Sequence, residues 1–444
     1  MTAPLSPPRE VRAIAERLER AGFETWCVGG AVRDALLGHP GLDWDFATAA
    51  TPRDVQRLFR RTVPVGVEHG TVGVLDDAGQ LHEVTTFRRD VRTDGRHAVV
   101  EFGASLEEDL ARRDFTINAI AYSPITGELR DPFEGRRDLE RGVVRAVGVA
   151  ADRMREDRLR ALRAIRFASR YGFEIDGATW AAIVESAPYL GRLSAERVKQ
   201  ELEKTMEQVA RPAAALRRWR DAGALATLVP AVAAIDDVQL AALDCLPPPV
   251  LPGRPRRRLD RLTMLFLGLG GRDAERVVKG LKFSNADAAW IGALADRWQR
   301  LGAEMARALG AAEVDDAVLR RWAAAVGRTR VAPLLRLAAA LWAARREAGM
   351  AAPDARRVRS TYRRAVRIAY RDPIELADLS VDGDDLRRAG IPPGPLLGKI
   401  LHALLERVIA DPSLDSRERL LSLALEIRGE LAPGGAATGD DTEH

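Results

Sequence analysis

The spacing of apolar residues changes near Asp152, from short segments in which they alternate to long Leu/Ala/Arg-rich segments in which they recur every third or fourth position. Alternation presents one face of a strand and the longer spacing presents one stripe of a helix. The change therefore predicts a mixed α/β unit over the first 150 residues and a helical remainder reaching almost to Leu431. Within the first unit, helical patterns are expected over residues 8–22, over Ala31–Leu37 and from a Thr51-Pro52 cap through Phe59. A strand from Glu24 runs into the Gly29-Gly30 turn. Asp43–Thr48 alternates acidic with apolar residues, and Val63–Val67, Thr71–Leu75 and Leu81–Phe87 read as antiparallel strands. Proline-rich residues Pro247–Pro255 and a charged joint at Gly349–Asp354 divide the helical region. Residues Pro433–His444 have the composition of a disordered end, and no repeat of fixed period is present.

A chain of 444 residues with 46% hydrophobic content has room for two to four domains with sizeable cores. Its richest apolar stretch, Val331–Ala344, is interrupted by Arg336, so no membrane span is expected. The start, Met-Thr-Ala-Pro-Leu-Ser-Pro-Pro, has neither the basic region nor the apolar core of a secretory signal, which predicts a cytoplasmic protein. Cys27 and Cys245 each lack a second cysteine at metal-ligand spacing, so neither a disulfide framework nor a zinc site is expected and both read as buried packing residues. The formal charge is only +4, but five of the 68 basic residues are lysine and the rest arginine. The planar arginine fork suits phosphate. A GC-rich coding bias gives the same skew, so composition permits an RNA partner without requiring one.

Three clusters carry candidate chemistry. In the first, Gly29-Gly30-Ala31-Val32-Arg33-Asp34 is followed by Asp43-Trp44-Asp45. Two carboxylates two apart on a strand point to one side, about 6–7 Å from each other, and can hold hard cations through oxygen. The glycine turn lets backbone N–H groups approach a triphosphate that Arg33 can also reach. An acidic pair on a solvated strand and a simple tight turn have the same sequence. The second cluster is Glu107–Ala119, where Arg112-Arg113 precedes an apolar helix start or forms a solvated pair. The third is Arg155–Phe167, where Asp157 and Arg160 share a helical face above the packed Leu159, Leu162 and Ile165. An amphipathic helix with an internal salt bridge fits it equally, and helical geometry does not aim Arg163 and Arg166 at the same ligand as that pair.

These segments, in this order over about residues 24–210, resemble the class II tRNA nucleotidyltransferase and bacterial poly(A) polymerase family. The resemblance implies an α+β fold: a polymerase-β-like nucleotidyltransferase head with a mixed, largely antiparallel sheet over 1–150, then all-α neck (151–210), body (211–350) and tRNA-binding tail (351–432) domains. It implies that Asp43 and Asp45 are the catalytic residues and hold two Mg²⁺ ions; the match needs no further acid, and Glu83 in Glu83-Val84-Thr85-Thr86-Phe87 reads equally as a third carboxylate near the metals, a buried strand carboxylate or a structural hydrogen-bonding group. It also implies that Gly30, Arg33, Arg113, Asp157, Arg160, Arg163 and Arg166 contact the nucleotide. The implied reaction adds C, C and A to the tRNA 3′ end from CTP and ATP, releasing pyrophosphate. Asp157 and Arg160 would present an acceptor and a donor fork to the base edge in place of a template. The partners implied are tRNA, held at its acceptor and T arms, and the two nucleotides, with no DNA. In the tail, Leu379–Leu386 and Gly390–Gly398 resemble the family's C-terminal segment, with Gly394 and Gly398 near an RNA phosphate or in a plain helix-turn-helix joint.

Rival readings leave their own marks. Poly(A) polymerases carry a basic Gly-Arg-Arg-Phe-like run where this chain has Val65-Gly66-Val67-Glu68-His69-Gly70-Thr71-Val72. A binding protein that had lost turnover would lack a metal carboxylate. None of the six histidines precedes an aspartate, so no His-Asp phosphohydrolase is expected. Residues 88–101 correspond to the family's flexible loop; they keep Asp94-Gly95-Arg96 but lack the usual tyrosine before it and proline after it, which makes a CC-adding or A-adding partial enzyme the alternative to full CCA addition.

Overall fold

The computed structural model describes residues 5–39, 43–93, 98–247 and 258–431, which form two compact units meeting in sequence at Ala234 and Ile235. The Asp94-Gly95-Arg96 core of the loop, most of the Pro247–Pro255 break and the Pro433–His444 end lie outside the described residues.

In the first unit the chain runs α1 (Arg9–Arg20), β1 (Thr25–Val28), α2 (Gly30–Leu36), β2 (Asp45–Thr48), α3 (Pro52–Leu58), β3 (Thr62–Gly66), β4 (Thr71–Leu75) and β5 (Leu81–Thr86). A hairpin of β6 (Arg88–Thr93) and β7 (Ala98–Phe102) follows, then α4 (Leu106–Ala111), β8 (Ala121–Tyr122), β9 (Leu129–Arg130), α5 (Gly135–Arg141) and β10 (Val143–Val144). The unit closes with α6 (Ala150–Glu156), α7 (Leu159–Tyr171), β11 (Glu174–Ile175), α8 (Gly177–Ser186), α9 (Ala195–Gln208), α10 (Pro212–Asp221) and α11 (Ala224–Leu228). Seven strands make one sheet in the order β3-β4-β5-β2-β1-β8-β9, antiparallel except for the central β2–β5 pair. The sheet is thus mixed, as expected.

The expected alternation at Asp43–Thr48 survives in burial. Trp44 and Phe46 are buried while Asp43 and Asp45 face away from the core, although the hydrogen-bonded strand begins only at Asp45. Beyond Phe46 the pattern stops, because Ala47 and Thr48 are buried as well. At Thr51 the predicted cap forms in full. The Thr51 hydroxyl accepts from the Asp54 N–H, and the Asp54 carboxylate accepts from the Thr51 N–H. Behind the sheet, Trp26, Val28, Ala47, Phe87, Leu106, Leu110 and Ala121 share a core, so strands β1 and β2 are fixed where they enter the cleft described below.

The second unit is helical throughout its described residues: α12 (Asp237–Asp244), α13 (Arg258–Phe266), α14 (Gly271–Gly280), α15 (Asn285–Ala311), α16 (Asp316–Val326), α17 (Val331–Glu347), α18 (Ala355–Arg371), α19 (Gly383–Arg388), α20 (Pro395–Ala410) and α21 (Arg417–Leu431). The expected joint at Gly349–Asp354 separates α17 from α18, and the Asp354 carboxylate caps α18 by accepting from the Arg356 and Arg357 N–H groups. Leu386, Ile400, Leu404, Leu420 and Ala424 give α19–α21 a core of their own. Gly394, at φ 143°, caps α20, and Gly398 lies in that helix's first turn with open space beside it. Cys27 is buried as expected, whereas Cys245 is half-buried. No helix among the described residues is long and apolar enough to cross a membrane.

Candidate active site

The turn between β1 and α2 makes the first wall of a cleft. Gly29 adopts φ 75° and ψ −133°, a conformation that side-chain-bearing residues rarely reach, and it starts α2 directly over the end of β1. A β-carbon on Gly29 would stand 3.2 Å from an Arg113 guanidinium nitrogen, and one on Gly30 would stand 3.5 Å from that of Arg33. The two glycines therefore leave the turn open where two guanidinium groups converge. Because Val28 pairs with Asp45 across β1 and β2, the same register brings Asp45 to the mouth of the turn.

The cleft has a volume of about 520 Å³. Of the residues expected to act together, it is lined by Gly30, Arg33, Asp45, Arg113, Asp157, Arg160 and Arg163, and Glu83 lines it as well. Two expected residues are not in its wall. Asp43 precedes β2, and its carboxylate accepts from the Gln80 side chain at 3.0 Å in the β4–β5 turn. Arg166 is turned to α9: 4% exposed, it donates to the Glu201 carboxylate at 2.7 Å and to Gln208 at 3.2 Å. The structure thus sets Arg166 apart from the other residues named for nucleotide contact. The two arginines, three positions apart on α7, differ in partner: Arg163 pairs with Asp114 at the cleft, whereas Glu201 and Gln208 of α9 hold Arg166.

Arg33, Arg112, Arg113 and Arg163 are each held by a buried partner. The Arg33 guanidinium donates to Asn118 Oδ1 at 2.5 Å and to Asp34 at 2.8 Å, and lies 4.9 Å from the ring centres of both Phe167 and Tyr171. Tyr171 donates its hydroxyl to Asp34 at 2.7 Å, and burial together with that carboxylate pushes its phenol up to about 12, so it stays a donor. Arg112 and Arg113 both pair with Asp109, at 2.6 and 3.0 Å, and they follow α4 rather than precede a helix as the sequence suggested. Burial opposes the Asp109 charge, but Arg113 and Arg112 outweigh it and hold the carboxyl below its ordinary range. Asp114 is balanced in the same way: burial raises it, and Arg163 at 2.7 Å with Asn118 brings it down. The Nε of Arg113 is buried beside the cleft with no partner.

Asp157 and Arg160 do not bond to one another through their side chains as the amphipathic-helix reading had them. α6 ends at Glu156 and α7 begins at Leu159, with Asp157 in extended conformation between them. Its carboxylate accepts from the N–H of Leu159, the first residue of α7, at 3.0 Å and meets Arg197 at 2.8 Å. Arg160 donates to Glu156 at 2.7 Å and to the Arg112 carbonyl at 3.0 Å. Both side chains still line one cleft, an acceptor beside a donor fork. Sequence reasoning missed Asp109, Asp114, Asn118 and Arg197. The signal for Asp109 was available in Leu106 and Leu110, which define the inward face of α4 and place the acid between them inward too.

Within the cleft, burial first and the neighbouring Glu83 second push the Asp45 carboxyl up to about 6, with the Glu83 N–H and Arg113 acting against them and Asp43 adding to the rise. Carboxylates gathered at this cost fit a divalent cation, which supplies the compensating charge. Among the described residues no three acidic, histidine or cysteine side chains already close around one point, so part of a coordination shell would come from elsewhere, as with phosphate oxygens of a bound nucleotide.

Comparison with known proteins places the chain in a family. Residues 25–145 match the poly A polymerase head domain, residues 172–236 the family described as "Probable RNA and SrmB- binding site of polymerase A", and residues 260–424 the second domain of tRNA nucleotidyltransferases. The CCA-adding enzyme of Latilactobacillus sakei is 36% identical over 431 residues, covering 94% of this chain and 97% of its own, and that of Geobacillus kaustophilus is 35% identical over 95% and 98%. A match to the CCA-adding enzyme of Lactiplantibacillus plantarum reaches 49% identity but spans only 45% of this chain and 50% of the relative's length. The crystal structure of the Bacillus stearothermophilus CCA-adding enzyme in complex with CTP superposes with a TM-score of 0.74 at 32% identity, covering 97% of this chain and 99% of that one. Likeness of this extent, from the glycine turn to the last helices, makes the chain a member of the CCA-adding enzyme family of tRNA nucleotidyltransferases.

Proposed function

We propose that the protein adds C, C and A in turn to the 3′ end of tRNA from CTP and ATP, with release of pyrophosphate, and that it does so in the cytoplasm. The observation that carries the reading is one cleft lined by Asp45 and Glu83, by Arg33 and Arg113 beside an open glycine turn, and by Asp157 and Arg160, which offer complementary hydrogen-bonding groups. End-to-end likeness to CCA-adding enzymes, one of them solved with CTP, supports this reading over a partial enzyme or a poly(A) polymerase.

In this reading Asp43 and Asp45 hold two Mg²⁺ ions, and Glu83 contributes its charge beside them. The chemistry such ions supply is activation of the 3′-hydroxyl and neutralisation of the departing pyrophosphate. The chain's own groups do the rest by positioning. Backbone at Gly30 with Arg33 and Arg113 orients the triphosphate. Asp157 and Arg160 read the base edge. Arg163 holds Asp114, which in turn holds Asn118 against Arg33, so its contribution to nucleotide contact runs partly through that chain. Arg166, paired with Glu201, ties α7 to α9.

The domain reading that accompanies this function keeps residues 1–150 as the catalytic head, 151–210 as the neck, 211–350 as the body and 351–432 as the tail. Residues 1–210 belong to the first compact unit, which runs on to Ala234. The direct test is to incubate the purified protein with tRNA lacking its CCA end and with CTP and ATP, then sequence the 3′ ends. Complete CCA ends are expected. Ends that stop at CC identify a partial enzyme, and unextended ends overturn the proposal.

A further inference from the structure

Helix α18 holds seven arginines and no acidic residue in 17 positions, more positive charge than the net +4 of the entire chain. The arginines divide into two sets. Arg357 donates to the Leu309 and Gly310 carbonyls at 2.6 and 3.1 Å, and Arg364 pairs with Asp316 at 2.6 Å; both anchor the helix to its neighbours. Arg359, Arg363, Arg367 and Arg371 are exposed, stand four residues apart, and have no side-chain hydrogen bond or ion pair among the described residues.

A coding bias toward arginine accounts for the residue type but not for this arrangement. The chain as a whole nearly balances its charges, with 64 acidic against 68 basic residues, whereas this face has none of the acids that ordinarily interleave on a solvated helix. Like charges at i, i+4 oppose helix formation, and the row contains three such pairs. The arrangement therefore works against the helix alone and favours it beside a polyanion. Steps of four residues set the guanidinium groups about 6 Å apart along the axis, a spacing of the same order as successive phosphates on a nucleic-acid strand. Tyr370, 59% exposed, lies between Arg367 and Arg371 in sequence and offers a ring face beside them. An anionic membrane is the weaker partner, because the opposite face of α18 (Val358, Thr361, Ala365, Ile368 and Ala369) is already buried and no apolar stripe is left to insert.

We propose that Arg359, Arg363, Arg367 and Arg371 form a phosphate rail that grips one strand of a duplex arm of tRNA, reading backbone rather than base. The inference rests on the tRNA reading above. Its test compares the full-length protein with a variant carrying Arg359→Gln, Arg363→Gln, Arg367→Gln and Arg371→Gln, and with the same four positions changed to lysine. Binding of tRNA lacking its CCA end is measured against salt. The glutamine variant should lower the slope of log affinity on log salt by about 3 and weaken low-salt binding on the order of 100-fold. KM for tRNA should rise accordingly while KM for CTP and kcat at saturating tRNA stay unchanged, and the lysine variant should recover most of the slope. Relief of repulsion should leave the melting temperature equal or higher; should the fourfold variant fail to fold, Arg363→Gln with Arg367→Gln should lower the slope by about half as much. An unchanged slope overturns the rail. So does sedimentation with phosphatidylserine vesicles that the glutamine variant loses while keeping its tRNA affinity. A protein that binds tRNA with the expected slope yet adds no nucleotide would sink the catalytic reading and leave the rail standing.

Discussion

The Asp157 carboxylate meets the Arg197 guanidinium at 2.8 Å, tying the break between α6 and α7 to the first turns of α9. Both side chains are about one-third exposed, so the pair contributes little to stability, within about 1 kcal/mol. Its consequence is orientation. Asp157 is proposed to accept from the base of the incoming nucleotide, and Arg197 fixes the carboxylate that does so. Arg197→Ala should leave the melting temperature nearly unchanged and reduce the preference for CTP over UTP, on the order of tenfold. Asp157→Ala and Arg160→Ala should lose selectivity and rate together. Single-nucleotide incorporation kinetics with each triphosphate measure this, and unchanged CTP-over-UTP ratios in all three variants would place selection elsewhere.

Asp45 sits where its charge is unfavourable until a cation arrives. Burial and Glu83 push its carboxyl up to about 6 from an ordinary 3.8, so the folded protein binds that proton more tightly than the unfolded chain does. A carboxyl raised in this way stabilises the cation-free fold at low pH and loses that contribution as pH rises through about 6. Asp45→Asn should therefore be more stable than the parent near pH 8 in the presence of a chelator, by roughly 1–3 kcal/mol, with the difference vanishing below about pH 4. Urea denaturation at the two pH values measures it. The same variant, like Asp43→Ala, should add no nucleotide, and added Mg²⁺ should stabilise the parent but not the variant.

Arg166 and Glu201 form a buried pair at 2.7 Å, with side chains 4% and 2% exposed. Removing one partner leaves the other charged and largely uncompensated. Arg166→Ala should cost about 3–5 kcal/mol in chemical denaturation. At a temperature where the variant remains folded, its KM for CTP should stay within about twofold of the parent. A large rise in KM with unchanged stability would return Arg166 to the nucleotide.

Much of the head was legible because its signals are local. Trp44 and Phe46 mark the buried side of β2 by alternation, Gly29-Gly30 marks a turn that needs positive φ, and Thr51-Pro52 with Asp54 makes a complete capping box. The residues that organise the cleft were less legible, because what distinguishes them is tertiary. Glu107, Glu108 and Asp109 are equivalent on paper, yet only Asp109 is fully buried, since it shares the inward face of α4 with Leu106 and Leu110. The break at Asp157 carries neither glycine nor proline, and a continuous helix was the natural reading. The aspartate itself was the signal, as its carboxylate bonds the Leu159 N–H and starts a new helix in preference to continuing the old one. Arg166 was assigned through resemblance alone, and its partner Glu201, 35 residues away, cannot be inferred from helix spacing.

The central claim is that one cleft chooses C, C and then A without a template, and competition tests it most directly. The protein is supplied with tRNA lacking its CCA end, all four nucleoside triphosphates at equal concentration and Mg²⁺, and the 3′ ends are sequenced over time. The account predicts C, then CC, then CCA, with extension stopping there and U and G nearly absent. Runs of A, or C positions filled by U or G as readily as by C, would contradict it.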